Sequence, residues 1–234
     1  MNAVWQSFSM TGKSVLVTEA CSGLGAHVAR LLSRAGARVT IGARRVEQLE
    51  QLAADLQWEG GEVLAVALDV SQRDSVEAAL DAVEARFGCI DVLINTASNE
   101  RCLEASEERS STLLATSLDA VRRVTQCASR RMLEAGRDGS IIIVSPHVVP
   151  LGAGLGHWNR TKAGVIQVSQ SMAEKLARHR IRVNALAPGR FMSGSHPGSL
   201  EELNGPLLLL ASDAGACMTG AVLHVDGVDL AKRG

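Results

Sequence analysis

A chain of 234 residues, 46% of them hydrophobic, has the length of one large domain and enough apolar side chains for a sizeable core. A formal net charge of −1 and a pI near 6.6 give no basic surface for nucleic acid, and no apolar run reaches the roughly 18 residues of a membrane-spanning helix. The five cysteines (Cys21, Cys89, Cys102, Cys127 and Cys217) are odd in number and lack C-x-x-C spacing, which argues against a disulfide framework or zinc ribbon and for a reducing compartment. The histidines are scattered, so no metal site is expected. The first residues show no basic stretch followed by an apolar one, and a soluble cytoplasmic protein is expected.

In chain order, residues 1–10 read as a loose lead-in. The β-branched run Ser14–Thr18 predicts a buried strand, followed by a glycine-containing turn and a helix from Gly23 to Ala35 that Gly36 stops. A strand over 38–43 precedes a helix over 46–57, where Val46, Leu49, Leu52, Ala53 and Leu56 recur at helical spacing. A third strand covers 63–70, a helix 72–87 and a fourth strand 91–95. A long helix is predicted over 106–135, a strand over 140–145, a helix over 158–178, a strand over 181–186, a helix over 200–211 and a last strand over 221–225. Nearly continuous apolar strands alternating with helices predict an α/β protein: one Rossmann-like domain over 1–234, with a doubly wound parallel sheet and helices on both faces.

The first strand ends in Thr18-Glu19-Ala20-Cys21-Ser22-Gly23-Leu24-Gly25. Between a strand and a helix, glycines let backbone N–H groups approach a pyrophosphate at the helix N-terminus. Helix packing alone also accounts for Gly23 and Gly25. The second strand ends in Arg44-Arg45 where an acidic residue would hold a ribose 2′-hydroxyl. Arginines there suit a 2′-phosphate, so NADP is expected if a nicotinamide cofactor binds, and a solvated turn is the alternative. Asp69 is read either as an adenine contact, with Val70, or as a cap for the next helix.

Taken together, these segments resemble the short-chain dehydrogenase/reductase family, in its ketoacyl-reductase-like branch. The similarity runs from Lys13 to Gly227. It is carried by Leu68-Asp69-Val70, Asn95-Thr96-Ala97-Ser98, Val183-Asn184-Ala185-Leu186-Ala187-Pro188-Gly189, Leu210-Ala211-Ser212-Asp213 and Thr219-Gly220-Ala221-Val222-Leu223-His224-Val225-Asp226-Gly227. The resemblance implies cofactor contacts from Thr18, Ser22, Leu24, Asn95, Ala97, Lys162, Pro188, Gly189 and Ser193. It also implies a serine, a tyrosine, a lysine and an asparagine that move a proton while hydride passes to or from the cofactor.

Mapped onto this chain, the serine is Ser145 and the lysine Lys162, but the tyrosine position is Trp158 and the asparagine position Ser117. The chain contains no tyrosine at all. An indole N–H donates a hydrogen bond but is not a usable acid or base. Glu19 stands where the family has its first glycine, and a carboxylate beside a diphosphate is repulsive. The segment from Pro188 to Leu210 is shorter than the family's usual substrate lid. His147 and His157 are candidate replacement bases.

The resulting expectation is a family member that has lost ordinary ketone/alcohol redox activity. It acts as a cofactor-independent biosynthetic enzyme or as a non-catalytic accessory or ligand-binding subunit. The alternative is an NADP-dependent carbonyl reductase with a non-tyrosine proton donor. Expected partners are a small-molecule ligand or substrate and, by resemblance, a second copy in a homodimer or homotetramer or a catalytically complete paralogue. No nucleic-acid or membrane partner is expected.

Overall fold

The computed structural model describes residues 3–21, 23–96, 107–144, 156–189 and 199–225. Seven strands form one sheet: β1 (Ser14–Thr18), β2 (Arg38–Ala43), β3 (Glu62–Ala67), β4 (Val92–Asn95), β5 (Gly139–Val144), β6 (Ile181–Pro188) and β7 (Val222–Val225). Their spatial order is β3-β2-β1-β4-β5-β6-β7, and every pairing is parallel. The helices are α1 (Ala3–Gln6), α2 (Gly23–Arg34), α3 (Val46–Trp58), α4 (Arg73–Phe87), α5 (Glu107–Glu134), α6 (Gly156–Ala177) and α7 (Asn204–Ala211).

Both faces of the sheet are covered, which explains why its strands read as continuous apolar runs. Side chains alternate between the faces with period two. Val15 and Val17 of β1, with Ile142 and Val144 of β5, join a core with α2, α3 and α7 through Val28, Leu32, Leu49, Leu56 and Leu207. Leu16, Ile141 and Ile143 point the other way, onto α4, α5 and α6 through Leu80, Val124, Met132 and Leu176. The chain reverses direction across the sheet between β1 and β4, so a crevice opens at their carboxyl ends.

Several boundaries differ from the sequence reading, each for a local reason. The lead-in contains the short helix α1, and Ala214 N donates to Ser7 O, tying the lead-in to the body at 2.9 Å. β3 stops at Ala67, because Asp69 accepts from Ser71 N and Ser71 Oγ and turns the chain. The apolar stretch 200–211 is two pieces: a 3₁₀ turn over Leu200–Leu203 capped by Ser199 Oγ, then α7. Pro206 has no N–H to continue a helix from the preceding turn and fits the first turn of a new one.

On the α4–α5 surface, Arg131 donates to Glu77 (2.9 Å), Asp81 (2.6 Å) and Glu84 (2.8 Å). Burial opposes ionisation of Glu77, yet hydrogen bonds from Arg131 and Cys127 and the charges of Arg130 and Arg131 prevail, so its carboxyl sits below the ordinary 4.5. A carboxyl depressed by folding stabilises the protein above its unfolded pKa and stops doing so as the pH falls through its folded value. Arg131→Met is therefore expected to destabilise the protein by about 1–3 kcal/mol near neutral pH, the lower end reflecting the partly solvated Asp81 and Glu84. Urea midpoints for the two proteins should converge below about pH 4.5, as Glu77 protonates.

Candidate functional site

The crevice is built from the ends of β2, β1 and β4, with the end of β6 on the far side of β5. Thr18, at the end of β1, is fully buried beside Asn95, at the end of β4. Thr18 Oγ1 donates to Asn95 Oδ1 (3.4 Å) and accepts from Thr96 N (3.1 Å), and Thr96 Oγ1 donates to Thr18 O. Asn95 Nδ2 reaches Val121 O of α5 at 3.4 Å. These bonds stitch the two strands together where the sheet order reverses. A buried polar cluster of this kind is costly unless it is satisfied.

The turn from β1 into α2 is tight. A Cβ added at Gly25 would lie 2.6 Å from Glu19 O and 2.9 Å from Ala20 Cα, so only glycine lets the helix start this close to the turn. Gly23 has φ 55° and Glu19 φ 51°, both in the left-handed region. Glu19 thus holds a left-handed backbone that a glycine adopts freely and that other residues adopt at a cost. Ser22, between them, lies outside the described residues, and Leu24 is half-buried.

Arg44 is exposed just beyond β2. Its neighbour Arg45, the second arginine of the pair that suits a 2′-phosphate, sends Nη2 to Cys21 Sγ at 3.3 Å. One guanidinium therefore sits against the glycine-containing turn and the other at the end of the next strand. The doublet was the only sequence signal for Arg45. Asp69 is not the cap of α4, whose N-cap is Gln72; its Oδ1 accepts from Ser71 N and Ser71 Oγ and closes the Ser71 turn. Hydrogen bonds from the Ser71 hydroxyl and amide hold its carboxyl below the usual range, with Arg44 and Arg123 adding to the effect. Arg123 of α5 also donates to Val70 O (3.0 Å), fixing this loop from a third element.

On the other side, Pro188 ends β6 and Gly189 N donates to Val225 O at 2.8 Å. Ser117 lies on α5, and His157, Trp158 and Lys162 on α6. Position 162 follows 158 by about one helical turn, on the same face. The two helices approach closely just beside these positions. A Cβ at Gly164 would meet Leu118 Cδ1 and Cδ2 at 3.1 Å, so Leu118 would have to shift. Ala97, Ser145, His147 and Ser193 lie outside the described residues. Among the described residues no group of His, Cys, Asp and Glu is arranged to hold a metal ion, and no helix is long and apolar enough to cross a membrane.

Comparison with known proteins agrees with this geometry. The model of the short chain dehydrogenase family matches residues 13–202. The gluconate 5-dehydrogenase of Gluconobacter oxydans is 31% identical over 94% of this chain and 95% of its own. A 3-oxoacyl-[acyl-carrier-protein] reductase of Vibrio cholerae is 32% identical over 94% and 98%. The crystal structure of a gluconate 5-dehydrogenase from Burkholderia cenocepacia, in complex with NADP and tartrate, superposes with a TM-score of 0.88 at 29% identity. That likeness covers 98% of this chain and 99% of the other.

A non-glycine residue in the left-handed region costs about 1–2 kcal/mol. Glu19→Gly is accordingly expected to stabilise the protein, offset in part by the greater freedom of glycine in the unfolded chain. A rise in Tm of about 2–4 °C is the predicted outcome by calorimetry. An unchanged or lower Tm would show that Glu19 makes compensating contacts.

Proposed function

This chain belongs to the short-chain dehydrogenase family, and we propose that it binds NADP(H) while lacking the family's tyrosine-assisted redox step. On this reading it serves as a ligand-binding or accessory protein whose own turnover is slow. One observation carries the proposal: the sequence contains no tyrosine, and Trp158 stands one turn before Lys162 on α6.

The residues present fit the cofactor. The approach of Gly25 to the Glu19–Ala20 backbone leaves no room for a Cβ, and the amino end of α2 favours a pyrophosphate there. Arg44 and Arg45 suit a 2′-phosphate, and no acidic residue ends β2 to select a free ribose. Asn95 at the end of β4 and the Pro188–Gly189 corner at the end of β6, on either side of β5, complete the walls. When bound, NADPH supplies a hydride for carbonyl reduction.

What the chain itself must supply is a proton for the developing alkoxide. In the family arrangement the lysine ammonium lowers the phenol pKa so that it transfers that proton at neutral pH. Here Lys162 has no phenol to act on. Trp158 offers only an N–H donor, which can hold an oxygen but not protonate it. Its broad apolar face suits a flat ligand. Ser145 keeps its place in the sequence as the second donor to that oxygen, and Ser117 replaces the asparagine of the proton relay. A cofactor-independent reaction is the less favoured form of this proposal, because Gly25 still brings the amino end of α2 against the Glu19–Ala20 backbone at the end of β1.

A second reading is supported by the relatives, which are named as dehydrogenases and reductases. It makes the chain an NADP-dependent carbonyl reductase that draws its proton from His147, His157 or water. Assembly as a homo-oligomer, or with a catalytically complete paralogue, is compatible with either reading and is part of the proposal.

Trp158→Tyr separates the two readings. With NADPH and a panel of ketones, including a keto-gluconate and a 3-oxoacyl thioester, the variant is expected to turn over at least about 100-fold faster than the unaltered protein. Equal turnover by the unaltered protein would establish another proton donor and overturn the first reading.

A further inference from the structure

We propose that a cavity under the amino-terminal edge of the sheet, on the side opposite the nucleotide crevice, binds a small organic monocarboxylate on Arg182. The cavity has a volume of about 390 Å³ and lies among the starts of β1, β4, β5 and β6. That volume falls in the range of small-molecule sites. Lys13, Asp91, Arg180, Arg182, Asp213 and Thr219 are among the residues that line it.

The charges around this cavity are paired one by one, with a single exception. Lys13 pairs with Asp213 at 3.2 Å and Arg180 with Asp138 at 2.9 Å. Asp91 accepts from Arg137 at 2.7 Å and from Ser14 N at 2.8 Å. Among the described residues Arg182 bonds only to backbone carbonyls: Leu210 O (2.8 Å), Ser212 O (3.2 Å) and Met218 O (3.3 Å). Two of these carbonyls belong to the carboxyl end of α7, whose partial negative charge holds the guanidinium without cancelling its full charge. Among the described residues the Nε–H of Arg182 donates to no group, and Arg182 lines the cavity.

Burial disfavours the charged form of this side chain, and only the nearby Asp213 opposes that effect. A carboxylate at the open side of the guanidinium would neutralise it and accept a charge-assisted hydrogen bond. The Thr219 hydroxyl accepts from Val183 N and so keeps its own proton for a ligand oxygen. The aspartates on the wall set the ligand's charge. Asp91, Asp138 and Asp213 already have cationic partners, so a second negative charge on the ligand would meet repulsion with nothing to offset it. The fitting ligand is therefore small and singly charged, with a hydroxyl group near its carboxylate.

Cys217 is exposed and lines the same cavity, which makes it a local reporter. Its alkylation by iodoacetamide, followed by peptide mass spectrometry on the full-length protein, tests the site without relying on any enzymatic activity. Lactate and glycerate at about 10 mM are the probes, with sodium chloride at matched ionic strength as the control. Slowing of the Cys217 reaction by at least about threefold, with the Cys21 rate unchanged and succinate protecting less, is the expected result. Arg182→Lys, which keeps the charge but not the planar fork, should lose this protection. If that variant does not fold, the comparison among probes on the unaltered protein still decides the matter. A Cys217 rate that no probe alters, or that chloride slows equally, overturns the site.

Discussion

The contact on which the site depends is the approach of α2 to the end of β1. Gly25 lies so close to the Glu19 carbonyl that a single Cβ, 2.6 Å from that oxygen, would push the helix away. The helix N-terminus is thereby aimed into the crevice where the sheet order reverses between β1 and β4. Nearby polar bonds hold the two strands at the required level. Thr18, Asn95 and Thr96 satisfy one another in a fully dry setting, and Asn95 carries the link on to α5. The opening of the crevice is thus fixed by the core beneath it as well as by the glycine turn.

Glu19 shows how this constraint tolerates a change in sequence. Its side chain departs from the family pattern, and its backbone, at φ 51°, takes a left-handed conformation that a glycine would adopt at less cost. Packing of α2 on the sheet over-determines the turn and holds the residue in a conformation that is unfavourable locally. The departures at Trp158 and Ser117 are of another kind. They fall on α6 and α5, helices that form and pack through Leu118 and Gly164. Architecture and acid–base chemistry are therefore separable here, because the first rests on backbone and apolar contacts and the second on single side chains.

Most of the architecture was legible in the sequence because the signal was repeated. Strands such as Ser140-Ile141-Ile142-Ile143-Val144 announce burial on both faces, and helices such as α3 carry their apolar stripe at Leu49, Leu52 and Leu56. What escaped was decided by single polar atoms. The Asp69 carboxylate could not be assigned between an adenine contact and a helix cap from spacing alone; it is not the cap, and its Oδ1 closes the turn with Ser71. Arg45 gave no sign that it would lie against Cys21, because a doublet of arginines does not say which one folds back. The pairing of α2 with α7 through His27 and Asn204, 2.7 Å apart, joins residues 177 positions apart and has no local signature. At the positions that map to the family's catalytic residues, sequence supplied the residue identities, and the helices α5 and α6 supply the register of those they carry.

The central claim is that the nucleotide site outlasted the loss of the catalytic phenol. Equilibrium titration of the unaltered protein with NADPH, set against NADH and followed by calorimetry, tests it without requiring turnover. Saturation by NADPH in the micromolar range, with NADH at least about tenfold weaker, is the expected outcome. No binding of either nucleotide up to about 1 mM would contradict it and leave the glycine turn with a purely structural role.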